Sequence, residues 1–217
     1  MEPASSGFAD KPAGYYGNPR TDLLERLGRP LGRVLDIGCG RGATAGYLRE
    51  HGATRLTGIE IHEESAQRSD EVFDEVLHGA VETELGRADG PFDTVLAYDV
   101  LEHLVDPYAV MRDVRAKTAP GGQFHISTPN ARHWSLVRDV ALRGTFAYDE
   151  YGHRDITHLR WFTSKDLAAA LRDAGWIVDL VDHQDVHPLT RFANRATRGL
   201  LMEFMVYQWS VIARNPG

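Results

Sequence analysis

Two carboxylates flank a glycine-rich turn early in the sequence. Asp36 precedes three alternating glycines, Gly38, Gly40 and Gly42, and Glu60 lies at the end of the next apolar run. Glycines in such a turn permit positive φ values and let a ligand lie against bare main chain. An acid at the end of the second strand can bind both ribose hydroxyls of a nucleoside. The pattern therefore predicts a nucleoside-binding turn.

The position of Asp36 indicates whether the bound nucleoside is an anion or a cation. A dinucleotide-binding turn presents main-chain N–H groups to a pyrophosphate, and a neighbouring carboxylate would repel this anion. A cationic ligand suffers no such repulsion. The glycine spacing also differs from the Gly-x-Gly-x-x-Gly pattern of dinucleotide-binding proteins, although Ala43 leaves a degenerate match. We favour a cationic ligand and keep an NAD-dependent oxidoreductase as an alternative.

Histidines supply the candidates for acid–base chemistry. His103 follows the fourth predicted strand, and His158 comes one turn after Asp155 in an aromatic segment. Imidazole titrates near neutral pH and can take a proton from a hydroxyl, so we name His158, His103 and Asp155 as catalytic candidates. Each of them could instead hold its loop by hydrogen bonds. The spacing of His153, Asp155 and His158 could also ligate a divalent ion, but no second cluster completes the shell, so we predict no metal.

Alternating strands and helices must position these residues. The predicted strands are 34–37, 55–61, 75–77, 92–98, 123–127, 176–181 and one near 206–213. Helical segments lie between them, and Thr163 with Asp166 forms a capping box for the helix that ends at Gly175. Strands of this length separated by helices predict an α/β protein with helices on both faces of a doubly wound sheet.

Four motifs carry a resemblance to a known family. The segments LDIGCGRG, GIE, AYDVLEHL and PGGQFHISTPN resemble those of the class I S-adenosylmethionine-dependent methyltransferases. The segments STPNARHWS and THLRWFT are similar to a bacterial branch that acts on small molecules and glycans. The resemblance implies a Rossmann-like seven-stranded sheet with the last strand antiparallel, and S-adenosylmethionine as the cofactor.

The resemblance also implies roles for individual residues. The glycine turn with Cys39 would line the methionine moiety, Asp36 would lie near its amino group, and Glu60 and Ile61 would bind ribose and adenine. Many family members have an acid after the third strand for the adenine amino group, whereas this chain has Ala80 and Val81 there, followed by Glu82. The full set of expected cofactor residues is Asp36, Gly38, Cys39, Gly40, Gly42, Glu60, Ile61, Ala80, Val81, Tyr98 and Asp99.

The acceptor is expected outside the carboxyl ends of the strands, where ligands bind in doubly wound sheets. Loop residues there include Asn130, His133 and Trp134, which we predict to face the substrate. Tyr15 and Tyr16 precede the core and are expected to close over the site as a lid.

We divide the chain into an N-terminal arm and lid helix, 1–30, and a methyltransferase domain, 31–217. Within that domain, an insert at 131–160 and a connection at 187–203 are expected to cover the substrate. The predicted reaction is methyl transfer to an oxygen of a small metabolite, with nitrogen as the second choice. A non-catalytic cofactor-binding partner protein stays as a further alternative.

Composition and charge argue against several other classes of protein. The 217 residues carry a net charge of −7, which argues against non-specific electrostatic binding to nucleic acid. The sequence has no apolar run long enough to cross a membrane and no secretory signal, so a cytoplasmic protein is expected. The single cysteine excludes an internal disulfide. The expected partner is a small-molecule acceptor. The apolar stripe of the C-terminal connection is expected to be part of the core or a homodimer face, with an interfacial membrane helix as the less favoured alternative.

Overall fold

The computed structural model describes residues 20–183 and 201–217, and its centre is a seven-stranded sheet. The strands are β1 (Gly32–Ile37), β2 (Ala53–Glu60), β3 (Glu75–His78), β4 (Phe92–Tyr98), β5 (Thr118–Pro129), β6 (Ile177–His183) and β7 (Gln208–Arg214). Their order is β3-β2-β1-β4-β5-β7-β6. Strands β1 to β5 pair in parallel, and β7 is antiparallel to both of its neighbours. The predicted fold class, including the antiparallel last strand, is confirmed.

Helices connect the strands. The α-helices are α1 (Thr21–Leu24), α2 (Ala45–Glu50), α3 (Glu63–Ser69), α4 (Val81–Glu84), α5 (Pro107–Lys117), α6 (Trp134–Arg143), α7 (Ser164–Asp173) and α8 (Met202–Met205). A short 3-10 turn, Leu101–His103, follows β4. Tyr15, Tyr16 and most of the 187–203 connection lie outside the described residues.

The sheet is covered on both faces because successive residues of a strand point to opposite sides. In β1, Leu35 belongs to a core cluster that includes Phe124 and Trp176, whereas Val34 belongs to a second cluster that includes Leu24 and Leu48. All these side chains are buried. This two-sided burial makes the central strands rigid, so the loops at their carboxyl ends start from fixed positions.

Strand β5 begins earlier than its apolar pattern predicts. Main-chain hydrogen bonds join Gly121 N to Asn215 O at 2.8 Å and Asn215 N to Gly122 O at 2.9 Å. Because the pairing uses only the main chain, the side-chain pattern does not reveal it. Thr163 caps α7 as predicted, with its Oγ1 accepting from Asp166 N at 3.2 Å and donating to Asp166 Oδ2 at 2.8 Å.

The insert contains a helix, α6, that the sequence reading missed. Its buried positions include Leu136 and Asp139, while Val137 and Val140 are exposed. The Asp139 carboxylate is held there by three ion pairs, with Arg138, Arg143 and Arg154. An acid on the buried side hides the apolar periodicity by which an amphipathic helix is recognised.

The sequence predicts no membrane-spanning segment. No helix in residues 20–183 and 201–217 has both the length and the hydropathy to cross a bilayer.

Candidate active site

The glycine turn follows β1 directly. Its three glycines have φ values of 74°, 57° and 77° at Gly38, Gly40 and Gly42, in the region that favours glycine. A Cβ atom at Gly38 would lie 2.7 Å from Val100 Cγ2, and one at Gly42 would lie 2.4 Å from Val72 Cγ2. Glycine is therefore required at both positions, and the turn offers bare main chain to a ligand.

Glu60, at the end of β2, ties this turn to the neighbouring strand. Its carboxylate accepts from Gly40 N at 2.8 Å through Oε2 and from His62 N at 2.8 Å through Oε1. The side chain is buried, and burial raises its pKa while the two N–H donors act against that rise. An acid in this position has the oxygen lone pairs that a ribose diol needs.

Asp36 lies inside β1 and is 3% exposed. Its Oδ2 accepts from the Thr44 hydroxyl at 2.7 Å. Burial raises the pKa of Asp36 to about 7, the Thr44 hydrogen bond opposes the rise, and the nearby Glu60 adds to it. The carboxyl group is thus poised to ionise when a cation arrives, because a positive partner offsets the cost of a buried charge.

Cys39, in the middle of the turn, is buried and has a thiol whose pKa is raised well above its usual range by burial. A Cβ atom at Gly58 would lie 2.6 Å from its sulfur. The thiol therefore packs between the turn and β2.

The expected adenine side lies beyond β2 and β3. Ile61 follows Glu60 and is half-buried, Ala80 precedes α4, and Val81 is buried at its first position. Ala80 O accepts from Thr83 N at 3.0 Å, so the loop after β3 has a defined path.

Tyr98 is the last residue of β4, and Asp99 follows it, next to the glycine turn. Tyr98 Oη and His125 Nδ1 are 2.9 Å apart, and burial raises the Tyr98 pKa well above its usual range. Asp99 has a positive φ of 56°. Its carboxylate accepts from Arg20 at 2.6 Å and from Ser127 at 3.2 Å, and also from Gln208. Asp99 thereby joins β4, β5 and β7 to the start of the described chain.

Two of the catalytic candidates come together with a glutamate. The imidazole rings of His103 and His158 are 4.7 Å apart, edge to face. Glu102, in the same 3-10 turn as His103, is 1% exposed. Its pKa is raised well above the usual range by burial, with the charge of Asp99 adding to the effect. The insert docks on this turn, because Leu159 N and Arg160 N both donate to Glu102 O, at 2.8 and 2.9 Å.

Asp155, the third candidate, is buried beneath this group. Its Oδ1 accepts from Thr157 N at 2.9 Å and from the Thr157 hydroxyl at 2.7 Å. The Thr157 oxygen in turn lies 3.0 Å from His103 Nδ1. Asp155 therefore reaches His103 through a hydroxyl, and its link to His158 is a turn, His158 N to Asp155 O at 2.9 Å.

The predicted substrate residues divide into two kinds. Trp134 is 43% exposed, and His133 stacks on His153 with the ring centroids 4.6 Å apart. The Tyr207 ring is T-shaped to both histidine rings, with centroid distances of 5.5 Å to His133 and 4.2 Å to His153. These rings form an aromatic surface beside the carboxyl end of β5.

Asn130 is fully buried, and its side chain forms hydrogen bonds with main-chain groups. Its amide donates to Glu203 O at 2.7 Å and Val206 O at 2.8 Å, and its oxygen accepts from Arg132 N at 2.9 Å. The amide thus braces the loop between β5 and α6 against the segment before β7, and its groups point to the fold instead of to a ligand.

Sequence reasoning missed Glu102 as part of the site. The sequence predicts His103 as a catalytic candidate, with capping of the next helix by Glu102 and His103 as the alternative, and gives Glu102 no other role. In the structure Asp106 caps α5 by accepting from Ala109 N at 2.9 Å. The Glu102–His103 dipeptide was the available signal. Its significance depends on His158, which is distant in sequence and arrives only when the insert folds.

Comparison with known proteins gives a consistent result. A family profile described as a methyltransferase domain matches residues 14–181. A ubiquinone biosynthesis O-methyltransferase from Chromobacterium violaceum is 29% identical over 197 residues, which covers 80% of this chain and 78% of that protein. A protein of the same name from Bordetella bronchiseptica is 30% identical over 180 residues, covering 73% and 68%.

A solved structure agrees in fold. The S-adenosylmethionine-dependent methyltransferase from Archaeoglobus fulgidus matches with a TM-score of 0.69 over 94% of each chain, at 18% identity. At this identity the likeness concerns the fold.

Proposed function

Because this chain belongs to the S-adenosylmethionine-dependent methyltransferases, we propose that it methylates a hydroxyl oxygen of a small molecule and that the residues around the glycine turn hold the cofactor. The relatives' names support oxygen as the atom that receives the methyl group. The two alternative functions, an NAD-dependent oxidoreductase and a non-catalytic partner protein, gain no support from these comparisons.

The single observation that carries the cofactor site is the pair of buried carboxylates beside the glycine turn. Asp36 would receive the amino group of the methionine moiety, and Glu60 the ribose hydroxyls. Gly38 and Gly42 carry no Cβ atom, so their main chain is bare for a ligand to approach, and Val100 and Val72 leave no room for a larger residue. Ile61 and Val81 would contact the adenine ring. Main-chain groups near Ala80 would accept a hydrogen bond from the adenine amino group.

Tyr98 and Asp99 would complete the methionine end of this site. Tyr98 ends β4 and Asp99 follows it, and hydrogen bonds with His125 and Arg20 keep their side chains in place. When bound, S-adenosylmethionine supplies an electrophilic methyl group on a sulfonium sulfur. The chain's own contribution is to align the acceptor with that group and to exclude water, which can account for about 7–11 kcal/mol of the barrier.

The acceptor hydroxyl would lose its proton near His103 and His158. Both imidazoles lie at the carboxyl end of β4, and the segment that carries His103 begins at Val100, which packs on Gly38. This proximity supports the proposal that the two histidines lie near the methionine end of the cofactor site. Asp155 would act as a positioning residue, since it reaches His103 through the Thr157 hydroxyl.

The aromatic surface of His133, Trp134 and Tyr207 supports a planar, aromatic acceptor. Burial lowers the pKa of His133, which favours the neutral ring and an uncharged face for stacking. Tyr15 and Tyr16 remain proposed lid residues.

A transfer assay tests the function. The chain would be incubated with S-adenosylmethionine labelled with ¹³C in its methyl group and with phenols, catechols, sugars and amines as acceptors. NMR of the product distinguishes an O-methyl from an N-methyl carbon. We expect O-methylation of a phenol or catechol. Exclusive N-methylation, or no transfer to any acceptor class by a protein that binds the cofactor, would contradict the proposal.

A further inference from the structure

Glu102, His103 and His158 bring three potential metal ligands together. One nitrogen or oxygen atom from each of them lies within 4.8 Å of the others. Two of the three side chains, Glu102 and His158, are buried, and His103 is partly buried. Ligand atoms on one ion lie up to about 4 Å apart, so small side-chain rotations would bring all three into contact with a common ion.

The Glu102 carboxylate is the first observation that points to a cation. Among the residues that the structure describes, neither of its oxygens forms a hydrogen bond of good geometry, although the side chain is 1% exposed. The Thr128 hydroxyl is near enough to oppose the rise in the Glu102 pKa, but burial outweighs it. A buried carboxylate whose oxygens lack well-formed hydrogen bonds is costly, and a cation or metal ion offsets this cost.

The tautomers of the two histidines are the second observation. His103 Nδ1 lies 3.1 Å from Thr157 O, and His158 Nδ1 lies 3.4 Å from His153 O. A carbonyl oxygen only accepts, so the proton of each neutral ring belongs on Nδ1, and Nε2 carries a lone pair. Histidines that bind metals are fixed in this way, with the second ring N–H donated to a carbonyl or carboxylate.

A short relay reinforces this tautomer at His103. The Thr157 hydroxyl donates to Asp155 Oδ1 at 2.7 Å, so its oxygen is left to accept from His103 Nδ1 at 3.0 Å. Asp155 is therefore committed to orienting His103. This explains why the His-x-Asp-x-x-His spacing does not itself form the ligand set.

From this geometry we infer that Glu102, His103 and His158 form a site for one divalent transition-metal ion. Two imidazoles and one carboxylate suit Zn²⁺, Mn²⁺, Fe²⁺ or Co²⁺ and leave coordination positions open. The ligands come from two elements, the turn after β4 and the insert, so a bound ion would also fasten the insert to the sheet.

The role of the ion rests on the proposed function. An acceptor hydroxyl bound at an open position would have a lowered pKa, as water does on a catalytic metal. Its O–H bond breaks and the proton passes to solvent, while the oxygen stays on the ion with its electron pair. That pair then forms the new bond to the methyl carbon as the carbon–sulfur bond breaks, and the sulfur keeps the electrons of that bond. The ion is unchanged in oxidation state.

The test measures metal binding without cofactor or acceptor. Tag-free full-length protein, stripped with a chelator, is titrated with Co²⁺ and followed by d–d absorption and by elemental analysis after desalting. One ion per chain is expected. Glu102→Gln keeps the size of the side chain, and His158→Gln removes a ligand; each should weaken Co²⁺ binding at least tenfold.

His78→Ala is the matched control. His78 lies on the surface with Asp70 at 3.1 Å, the kind of pair that binds metal adventitiously. This variant should retain the wild-type stoichiometry and spectrum. Absence of Co²⁺ binding by folded wild-type protein, or binding that is lost in His78→Ala and kept in Glu102→Gln, would overturn the site. Circular dichroism confirms that each variant is folded.

Methyl-transfer assays with and without metal distinguish the proposed metal site from the proposed methyltransferase function. Stripped enzyme should bind S-adenosylmethionine normally but transfer methyl groups at least tenfold more slowly, with Co²⁺ or Mn²⁺ restoring the rate. Full turnover by the stripped enzyme would overturn the role of the ion and leave the methyltransferase function intact. Tight Co²⁺ binding without turnover on any acceptor would support the site and count against the function.

Discussion

The carboxylate of Glu60 accepts a hydrogen bond from the main-chain N–H of Gly40, with Oε2 and nitrogen 2.8 Å apart. The bond joins the end of β2 to the middle of the glycine turn. The other oxygen accepts from His62 N. The acid that is expected to bind the ribose therefore also holds the turn expected to bind the methionine moiety, so the two halves of the cofactor site are coupled.

Glu60→Gln tests this coupling. Glutamine has one carbonyl oxygen, so one of the two N–H donors would face an amide NH₂ group and lose its partner. We expect an affinity for S-adenosylmethionine at least tenfold lower, by calorimetry, and stability lower by about 1–2 kcal/mol in urea. Glu63→Gln, at an exposed position on α3, is the control and should change neither quantity. Unaltered affinity in Glu60→Gln would refute the coupling.

Asp36 makes cofactor affinity depend on pH. Its pKa of about 7 in the free protein means that a proton competes with the cationic amino group of the ligand below neutrality. Affinity should therefore rise as the pH increases through 7, by up to about tenfold per unit on the acidic side, and level off above it. Calorimetry between pH 5.5 and 8.5 measures this.

Asp36→Asn is the companion experiment. The amide cannot ionise, so this variant should bind weakly and without the rise through pH 7. If the variant kept the wild-type pH profile, the profile would have to come from another group.

Gly38→Ala should damage the site through the main chain. The new Cβ would lie 2.7 Å from Val100 Cγ2, at a φ of 74° that alanine disfavours. The strain costs about 1–2 kcal/mol before the contact is counted, and cofactor affinity should fall with it.

Gly46→Ala is the matched control, since it lies inside α2 with no atom within 4 Å of the new Cβ. It should be neutral or stabilising by up to about 1 kcal/mol. Urea unfolding and calorimetry on both variants check the contrast, and equal effects would argue against a special role for the turn.

Asn130→Ala should act on stability. Removing the amide leaves Glu203 O and Val206 O without this donor in a buried setting, which costs about 2–3 kcal/mol. Thermal and urea unfolding measure the loss. If stability were unchanged while KM for the acceptor rose, Asn130 would be a substrate-binding residue as the sequence suggests, and the structural role would be wrong.

The sequence predicted the sheet and the glycine turn because both depend on local patterns. Apolar runs such as Val34 to Ile37 reveal buried strands, and the spacing of Asp36, the glycines and Glu60 is fixed by the strand–turn–helix unit itself. The helix cap at Thr163 is equally local.

What the sequence could not reveal depends on distant pairing. Asp139 is neutralised by arginines from its own helix and from the insert, so α6 lacks an apolar stripe. Glu102 meets His158 only after the insert has docked on the turn behind β4. The brace made by Asn130 joins segments whose proximity follows from the antiparallel β7.

The most direct test of the account is calorimetric titration of the wild-type chain with S-adenosylmethionine and, in parallel, with NAD⁺. A cationic methionine-bearing nucleoside should bind at one site per chain because Asp36 and Glu60 both receive it, and NAD⁺ should show no measurable binding because Asp36 opposes a pyrophosphate. Binding of NAD⁺ in preference to S-adenosylmethionine, or no binding of S-adenosylmethionine by the folded protein at pH 8, would contradict it.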